Sequence, residues 1–308
     1  MKRNISTAQA SVRGEVPFPF IAQQVVAAQE RAADKAKQEA VTPFQMFLPG
    51  MNELMRAMPN TVARSSLFAP IAKRKRKMHS GTVLVSRRDG ILEFWGEQLD
   101  EADADIVLQL MFETRQTALG QPVTINRAAF LRAMGRSTGK HDYEWFHRRM
   151  KALTVATLII ETKKPDGSTK YRVGGIGNTK TFHILADFDY DEDMEAYTYT
   201  LDPRWRILFG NREFALIDWQ KRLLIGRGQD MAKALQRLVA TSADPVQRYP
   251  LDWLKNKMQY ASPMRKFKEA LTNAMRELER LEIIVGGRIE ISTKGKAQAV
   301  WTKLYPSG

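Results

Sequence analysis

The apolar positions in the middle of the chain predict three helices followed by a β-hairpin. Apolar residues recur at helical spacing after the acidic start at Asp100, and Asn126 is placed as the N-cap of a second helix over 127–134. A third helix is predicted over 140–153, with its apolar side chains on one face. Two short strands then flank a Pro-Asp-Gly-Ser turn at 165–168, which indicates a hairpin. This order of elements is typical of a winged helix.

The last third of the chain repeats the same order. Helices are predicted over 229–240 and 250–258, and a third is opened by Ser262 as N-cap with Pro263 at the first helical position. The inward face of that third helix is apolar over its whole length, at Met264, Phe267, Leu271, Met275, Leu278 and Leu281. A strand, a turn at the glycine pair 286–287 and a second strand follow. Helices again come first and a β-wing last.

Together these patterns predict an α+β fold of two tandem winged-helix domains with a partly disordered N-terminal arm. The arm is expected over 1–60, because five prolines punctuate it and only 21–40 has helix-forming composition. The first winged-helix domain is expected over 61–201 and the second over 202–308. A length of 308 residues suits two domains and a tail.

Charge changes the picture more than any other feature of composition. The chain has 48 Lys and Arg against 34 Asp and Glu, a net charge of +14, and 20 basic against 11 acidic residues fall in 202–308. A polyanionic partner is the direct inference. No apolar run approaches the roughly 18 residues that a membrane span needs, so double-stranded DNA is favoured over lipid and no membrane partner is expected.

Several enzyme classes lack their residues in this sequence. The chain has no cysteine, which excludes disulfides, thiolate metal sites and cysteine nucleophiles and suits a reducing, cytoplasmic location. Its four histidines show neither His-x-His nor i,i+4 spacing. The glycine-rich segment 174–180 lacks a phosphate-loop ending, and 187–193 departs from a calcium loop and reads as an acidic surface loop. We expect no enzymatic activity, catalytic residue, metal or cofactor.

Polar side chains on the third helix of each unit are the candidate DNA contacts, together with lysines at the wing tips. In the second unit these are Arg265, Lys266, Lys268, Thr272, Asn273 and Arg276 on the helix, with Lys294 and Lys296 on the wing. In the first unit they are Lys140, Arg148 and Lys151 on the helix, with Lys163 and Lys164 on the wing. The alternative is an ordinary exposed helix face whose bases pair with neighbouring acids. The basic run 73–77 is either a phosphate-tracking arm or a solvated loop.

Four segments in the first unit carry a resemblance to a known family: 65–70, 81–85, 90–92 and 96–103. With them the chain resembles the TrfA-type plasmid replication initiators, from about residue 60 to the C-terminus. The resemblance implies two winged-helix domains that bind directly repeated sites, called iterons, at a plasmid origin and open adjacent AT-rich DNA. It also implies partnership with the host initiator, the replicative helicase and the sliding clamp, and self-dimers that limit copy number.

One short motif refines the family expectation. Ser66, Leu67 and Phe68 stand where the clamp-binding pattern of such initiators has Ser, Leu and Phe. An apolar pair at the end of an arm can insert into a hydrophobic groove. The alternative is that Leu67 and Phe68 pack on the first domain.

The sequence thus favours a plasmid DNA replication initiator without enzymatic activity. The second interpretation is a winged-helix transcriptional repressor that binds inverted repeats, because the same charge and element order permit it. A third class is a sequence-neutral RNA or chromatin-type binder. Asymmetric direct repeats would distinguish the initiator from both.

Overall fold

Two hydrophobic cores organise an α+β fold in the computed structural model, which describes residues 48, 51–71, 76–86, 89–174, 181–210 and 213–305. Both cores lie within one compact unit, Met46–Gly308. The predicted α+β class is therefore confirmed. The helix predicted over 21–40 lies outside the described residues.

The first core is built from helices and antiparallel strands. Its helices are α1 (Asn60–Ala63), α2 (Glu101–Glu113), α3 (Arg127–Ala133), α4 (Lys140–Val155), α5 (Trp205–Phe209) and α6 (Trp219–Leu224). Its strands are β1 (Met55–Pro59), β2 (Met78–Leu84), β3 (Gly90–Glu97), β4 (Pro122–Asn126), β5 (Thr157–Lys163), β6 (Thr169–Val173), β7 (Phe182–His183), β8 (Leu185–Asp191), β9 (Ala196–Leu201) and β10 (Phe214–Asp218). The strands pair in the orders β2-β3-β5-β6, β4-β9-β8 and β1-β10, and β7 also pairs with β5.

Local chemistry fixes the starts of the predicted helices. Asp100 caps α2 by accepting from the backbone N–H of Asp103 at 3.1 Å, and the Asp103 carboxylate accepts from the Asp100 N–H at 2.9 Å. Asn126 caps α3 by accepting from the N–H of Ala129 at 2.9 Å. The hairpin predicted around 165–168 is formed by β5 and β6.

Residues 187–191 of the segment interpreted as an acidic loop belong to strand β8, so that interpretation is wrong for them, and only 192–193 lie in an exposed turn. The two-residue alternation of the strand points Phe188 and Tyr190 at the first core and leaves Asp187, Asp189 and Asp191 exposed. The exposed carboxylates made the segment look like a loop, whereas the aromatic residues between them supply a buried face.

Both predicted domain boundaries need correction. The sequence predicts an arm that ends at residue 60, yet β1 pairs with β10 in an antiparallel ladder and buries Ala57 and Met58 completely. The first core also continues past residue 201 to Trp219. The physical reason is that β1 and β10 complete each other's hydrogen bonds although more than 150 residues separate them in sequence.

The second core contains α7 (Asp230–Ala240), α8 (Leu251–Lys257) and α9 (Met264–Arg280), with strands β11 (Val246–Pro250), β12 (Ile284–Ile291) and β13 (Ala297–Lys303) in the order β11-β13-β12. The α9 helix begins one residue later than predicted, because Pro263 rather than Ser262 holds the N-cap position and no side chain caps it. The apolar face of α9 packs inward as predicted, with Met264 partly buried.

The turn predicted at the glycine pair is wrong, because β12 runs through both glycines with a register shift between Val285 and Arg288. Gly286 has a φ of +67°, and a Cβ on Gly287 would lie 3.0 Å from that of Met275 on α9. The glycines therefore bulge the strand and let it approach the helix. The hairpin reverses at 292–296 instead, where Gly295 N–H donates to the Ser292 carbonyl at 2.9 Å.

A buried ionic cluster, which we call the junction, joins the two cores. Glu101 on α2 has no exposed surface, and its carboxylate accepts from Arg222 Nη2 on α6 at 3.0 Å and from Arg237 Nε on α7 at 3.2 Å. Asp105, one turn further along α2, accepts from Arg222 Nε at 2.5 Å and from Lys233 Nζ at 2.5 Å. Each buried carboxylate thus meets one cation from α7 of the second core, and both contact Arg222 of α6.

The backbone of 64–68 completes the junction. The Phe68 carbonyl oxygen accepts a hydrogen bond from Arg237 Nη2 at 2.8 Å, and the Ser65 carbonyl oxygen accepts one from Lys257 Nζ at 3.0 Å. In the other direction, Arg64 Nη2 donates to the Thr241 carbonyl at 2.6 Å. This short segment is therefore held from the second core by side chains rather than by strand pairing.

Lys257 is fully buried, and desolvation lowers the pKa of its ammonium group to about 7, with the nearby charge of Arg237 acting in the same direction. Since the folded-state pKa lies below that of an ordinary lysine, the unfolded chain binds more protons than the folded chain above pH 7. Stability is therefore lost as pH falls toward 7 and flattens below it.

We expect Lys257→Met to remove this dependence. The free energy of unfolding of the wild-type chain should rise by about 1.4 kcal/mol per pH unit more steeply than that of the variant between pH 7 and pH 9. Urea denaturation at pH 7, 8 and 9 measures the difference. Lys255→Met, in a half-buried position on the same helix, is the control and should run parallel to wild type. If the stability of Lys257→Met rises with pH as steeply as that of wild type, the lowered pKa of Lys257 is contradicted.

Candidate nucleic-acid interface

The outer face of α9 is polar and uncovered. Phe267 and Leu271 turn toward the second core, so Arg265, Asn273 and Arg276 project from the opposite side and are exposed. The Arg265 side chain, 80% exposed, contacts Glu269 Oε1 at 3.2 Å, a surface pair of small strength. These groups can therefore turn to a ligand at little energetic cost.

The predicted contact residues lie at the surface as a group. Thr272 is half-buried, and the others are exposed: Arg265, Lys266, Lys268, Asn273, Arg276, Lys294, Lys296, Lys140, Arg148, Lys151, Lys163 and Lys164. Two separate faces result, one on each core, and each combines a helix with a hairpin.

The wing of the second core carries its lysines at the tip. Lys294 and Lys296 lie in the turn between β12 and β13, where Ser292 Oγ accepts from the Lys296 N–H at 3.1 Å. The turn backbone is therefore ordered while both ammonium groups extend into solvent. Lower on the hairpin, Arg288 pairs with Glu290 at 2.9 Å. The cations available for a polyanion thus concentrate at the tip.

The corresponding face of the first core is electrostatically mixed. Lys140, Arg148 and Lys151 form an exposed stripe on α4, but Glu144 lies within it. On one flank His147 Nδ1 and the Tyr197 hydroxyl lie 3.0 Å apart, and burial lowers the pKa of that histidine. His147 is thus engaged with the β8–β9 hairpin, whose outer edge bears exposed aspartates.

The wing of the first core is formed by β5 and β6. Asp166 Oδ1 accepts from the Ser168 N–H at 2.9 Å, and Gly167 has a φ of +84°, so the turn uses the residues that its geometry requires. Lys163 and Lys164 are exposed beside it. This hairpin can reach a ligand in the way that the second wing can.

A family model described as TrfA protein matches residues 19–278. The chain belongs to the TrfA family. Over 207 residues it is 23% identical to the plasmid replication initiator protein TrfA of Escherichia coli, a match that covers 65% of this chain and 52% of the relative. The chain thus spans about half the length of that curated relative. Family membership confirms the resemblance noted in the sequence.

Two solved structures are also similar to this TrfA-family chain. One contains domains 2 and 3 of RctB, with a TM-score of 0.49 and 12% identity, covering 80% of this chain and 98% of the RctB chain. The other is the WH1 domain of a replication protein isolated from a multiple sclerosis patient, with a TM-score of 0.25 and 13% identity, covering 36% and 79%.

The basic run before β2 is partly engaged within the TrfA-family fold. Residues 72–75 lie outside the described part of the chain. Arg76 is ion-paired with Asp100, and its Nη1 lies 2.8 Å from Asp103 Oδ2, at the start of α2. Its guanidinium therefore pairs with the carboxylates that cap α2, so Arg76 does not serve as a free phosphate contact.

The clamp-binding interpretation of Ser66, Leu67 and Phe68 needs correction. Their exposed fractions are 2%, 2% and 1%, and both apolar side chains belong to the first core. The Phe68 ring lies 5.6 Å below the Arg237 guanidinium, and its carbonyl is part of the junction. A groove of a partner could receive this pair only after the junction opened, so the alternative of packing on the first domain is the observed one.

Sequence reasoning missed the junction. Its charged residues carry no spacing motif, because their partners lie more than 100 residues away. In the structure α7 is buried on almost all sides, so Arg237 and Gln236 within it are buried polar groups that need partners.

Two further observations concern other kinds of site. Among the described residues, no three His, Asp or Glu side chains come together as a metal-binding group. In the same parts of the TrfA-family chain, no helix is long and apolar enough to cross a bilayer.

Phe68→Ala tests the corrected assignment. Loss of a fully buried aromatic ring should lower the free energy of unfolding by about 3–5 kcal/mol, measured by urea denaturation. Met78→Ala, at a side chain that is 77% exposed, is the control and should change stability by less than about 0.5 kcal/mol. Equally small changes in the free energy of unfolding for both variants would contradict the burial of Phe68.

Proposed function

We propose that this chain is a plasmid replication initiator that binds directly repeated sites at a plasmid origin. The observation that carries the proposal is the uncovered, basic outer face of α9, set beside a hairpin with lysines at its tip, on a chain of the TrfA family. The E. coli relative is named a plasmid replication initiator.

Each core supplies one winged helix in this proposal. In the second, α7, α8 and α9 precede the β12–β13 wing, and in the first, α2, α3 and α4 precede the β5–β6 wing. A winged helix inserts its third helix into the major groove and lays its hairpin along the backbone. The order of elements along the chain supports this interpretation for both units.

Base readout falls to α9. Arg265 and Arg276 have the side chain that pairs bidentately with guanine, and Asn273 has the one that pairs with adenine. Lys266, Lys268 and Thr272 contact phosphates beside them. Lys294 and Lys296 track the backbone or minor groove from the wing.

The first unit adds backbone contacts. Lys140, Arg148 and Lys151 on α4, with Lys163 and Lys164 on its wing, are exposed but share their surface with carboxylates. Such a face contributes affinity more than sequence discrimination. The initiator therefore binds with two unequal heads, which suits asymmetric direct repeats better than a palindrome.

The biological partners follow from the family. Working without enzymatic activity in the cytoplasm, the protein opens AT-rich DNA beside its sites and recruits the host initiator, replicative helicase and sliding clamp. Because Leu67 and Phe68 are buried, clamp contact uses other residues or an opened junction. Self-dimers limit copy number.

Selection from a random double-stranded DNA library at physiological salt tests the function. An initiator yields one asymmetric motif that recurs as direct repeats beside an AT-rich tract of the plasmid. A palindrome at promoters would support the transcriptional repressor, and no enriched motif would support a sequence-neutral binder.

Arg276→Ala should weaken binding to the selected site by about 1–3 kcal/mol and relax preference at one base pair, because a bidentate guanine contact is lost. Competition against random DNA measures both effects. A uniform loss on all sequences would make Arg276 a phosphate contact instead.

Replacement of Lys294 and Lys296 together by Ala should act differently. The slope of log affinity against log salt should fall by about two, since two phosphate contacts are lost, while the preferred sequence stays the same. Titrations at several salt concentrations give the slope. A changed sequence preference with an unchanged salt slope would contradict the assignment of Lys294 and Lys296 to phosphate contacts.

A further inference from the structure

Buried ion pairs link α4 to α2, α6 and α7, and exposed hydrogen bonds together with the second core continue the connection to α9. Starting from α4, Arg149 Nε contacts Asp103 Oδ1 on α2 at 2.6 Å, and Arg149 is also paired with Glu97. Two residues earlier on α2, Glu101 holds Arg222 and Arg237. Helix α4 is thereby linked to α6 and α7 through the junction.

The connection continues to α9. Arg280 Nη2 donates to the Leu224 carbonyl at the end of α6 at 2.9 Å, and Glu277 accepts from the Gly226 N–H at 2.8 Å. On its other side α9 packs Phe267 and Leu271 into the core that α7 shares. Every step from α4 to α9 therefore passes through a hydrogen bond, an ion pair or a packed core.

Such a path resists sliding of one unit over the other. A shift would separate Glu101 or Asp105 from the cations that pair with it, and an unpaired charge without water is strongly disfavoured. Apolar contacts tolerate small displacements, whereas charged groups with fixed donors accept one arrangement. The Arg64–Thr241 and Lys257–Ser65 bonds add further constraints on the same interface.

We infer that Arg237 and Arg222 are positioning residues for DNA recognition: through Glu101 they hold α4 and α9 at one separation and orientation, so the chain accepts only sites whose two contacted segments have one spacing. This inference rests on the proposed function, because it requires that both helices contact one duplex. The junction then fixes the distance between α4 and α9, so the length of the repeat becomes part of the DNA specificity.

Spacer insertion tests the inference. The full chain is bound to the selected duplex, footprinting locates the two contacted segments, and one base pair, about a tenth of a helical turn, is inserted between them. Wild-type affinity should fall at least about tenfold. Arg237→Gln should bind the original site more weakly but lose less than about threefold on insertion, since its units can reorient.

A second variant and a control guard against a general loss of folding. Arg64→Ala removes the half-buried hydrogen bonds to Thr241, leaves the Glu101 ion pairs in place and should show intermediate tolerance, which decides the matter if Arg237→Gln does not fold. Arg115→Gln loses a surface pair with Glu53 near the opposite end of α2 and should keep the full wild-type penalty.

A distance measurement gives an independent readout. The chain has no cysteine, so spin labels can be placed at exposed sites on the two units with Ser168→Cys and Asn256→Cys. The distance distribution should be narrow in the otherwise wild-type chain and broad with Arg237→Gln.

The outcomes separate the two proposals. Absence of selective DNA binding by the wild-type chain would overturn the proposed function. If the wild-type chain binds selectively but tolerates the insertion, the inference about fixed spacing is wrong and the proposed function stands. The same holds if folded junction variants keep the wild-type penalty and a narrow distance distribution.

Discussion

The burial of one carboxylate constrains the arrangement of the two cores. Glu101 has no exposed surface, and a charge in that position is stable only beside cations that are themselves fully hydrogen-bonded. Arg237 meets this requirement from α7 of the second core and Arg222 from α6, and Arg237 uses its remaining donors on the carbonyls of Ala63 and Phe68. The charge of Glu101 thus fixes the positions of α2, α6, α7 and segment 64–68 relative to one another.

Surface charge divides the work between the cores. The second unit leaves the polar face of α9 uncovered, and residues 202–308 hold 20 basic against 11 acidic side chains, whereas the first unit places acids beside α4. A polyanion is therefore attracted chiefly to one side of the molecule. Inside the junction, Glu101 and Asp105 offset part of the charge of Arg222, Arg237 and Lys233.

The sequence predicted what local chemistry determines and missed what distant partners determine. The α2 and α3 caps, the apolar face of α9 and the 165–168 turn were predictable, because capping and periodicity act within a few residues. Strand β8 and the β1–β10 ladder were not, since each depends on a partner that no local pattern reveals. The clamp motif failed for a related reason: Leu67 and Phe68 look alike whether a host protein or the chain's own core covers them.

Hydrogen exchange of the full chain, free and bound to its selected duplex, tests whether α9 and the β12–β13 turn form the main DNA-contacting surface. We expect added protection over α9 and the β12–β13 turn, weaker protection over α4, and strong protection of the junction in both states. Protection confined to the β2–β3 hairpin, with α9 unchanged, would contradict it.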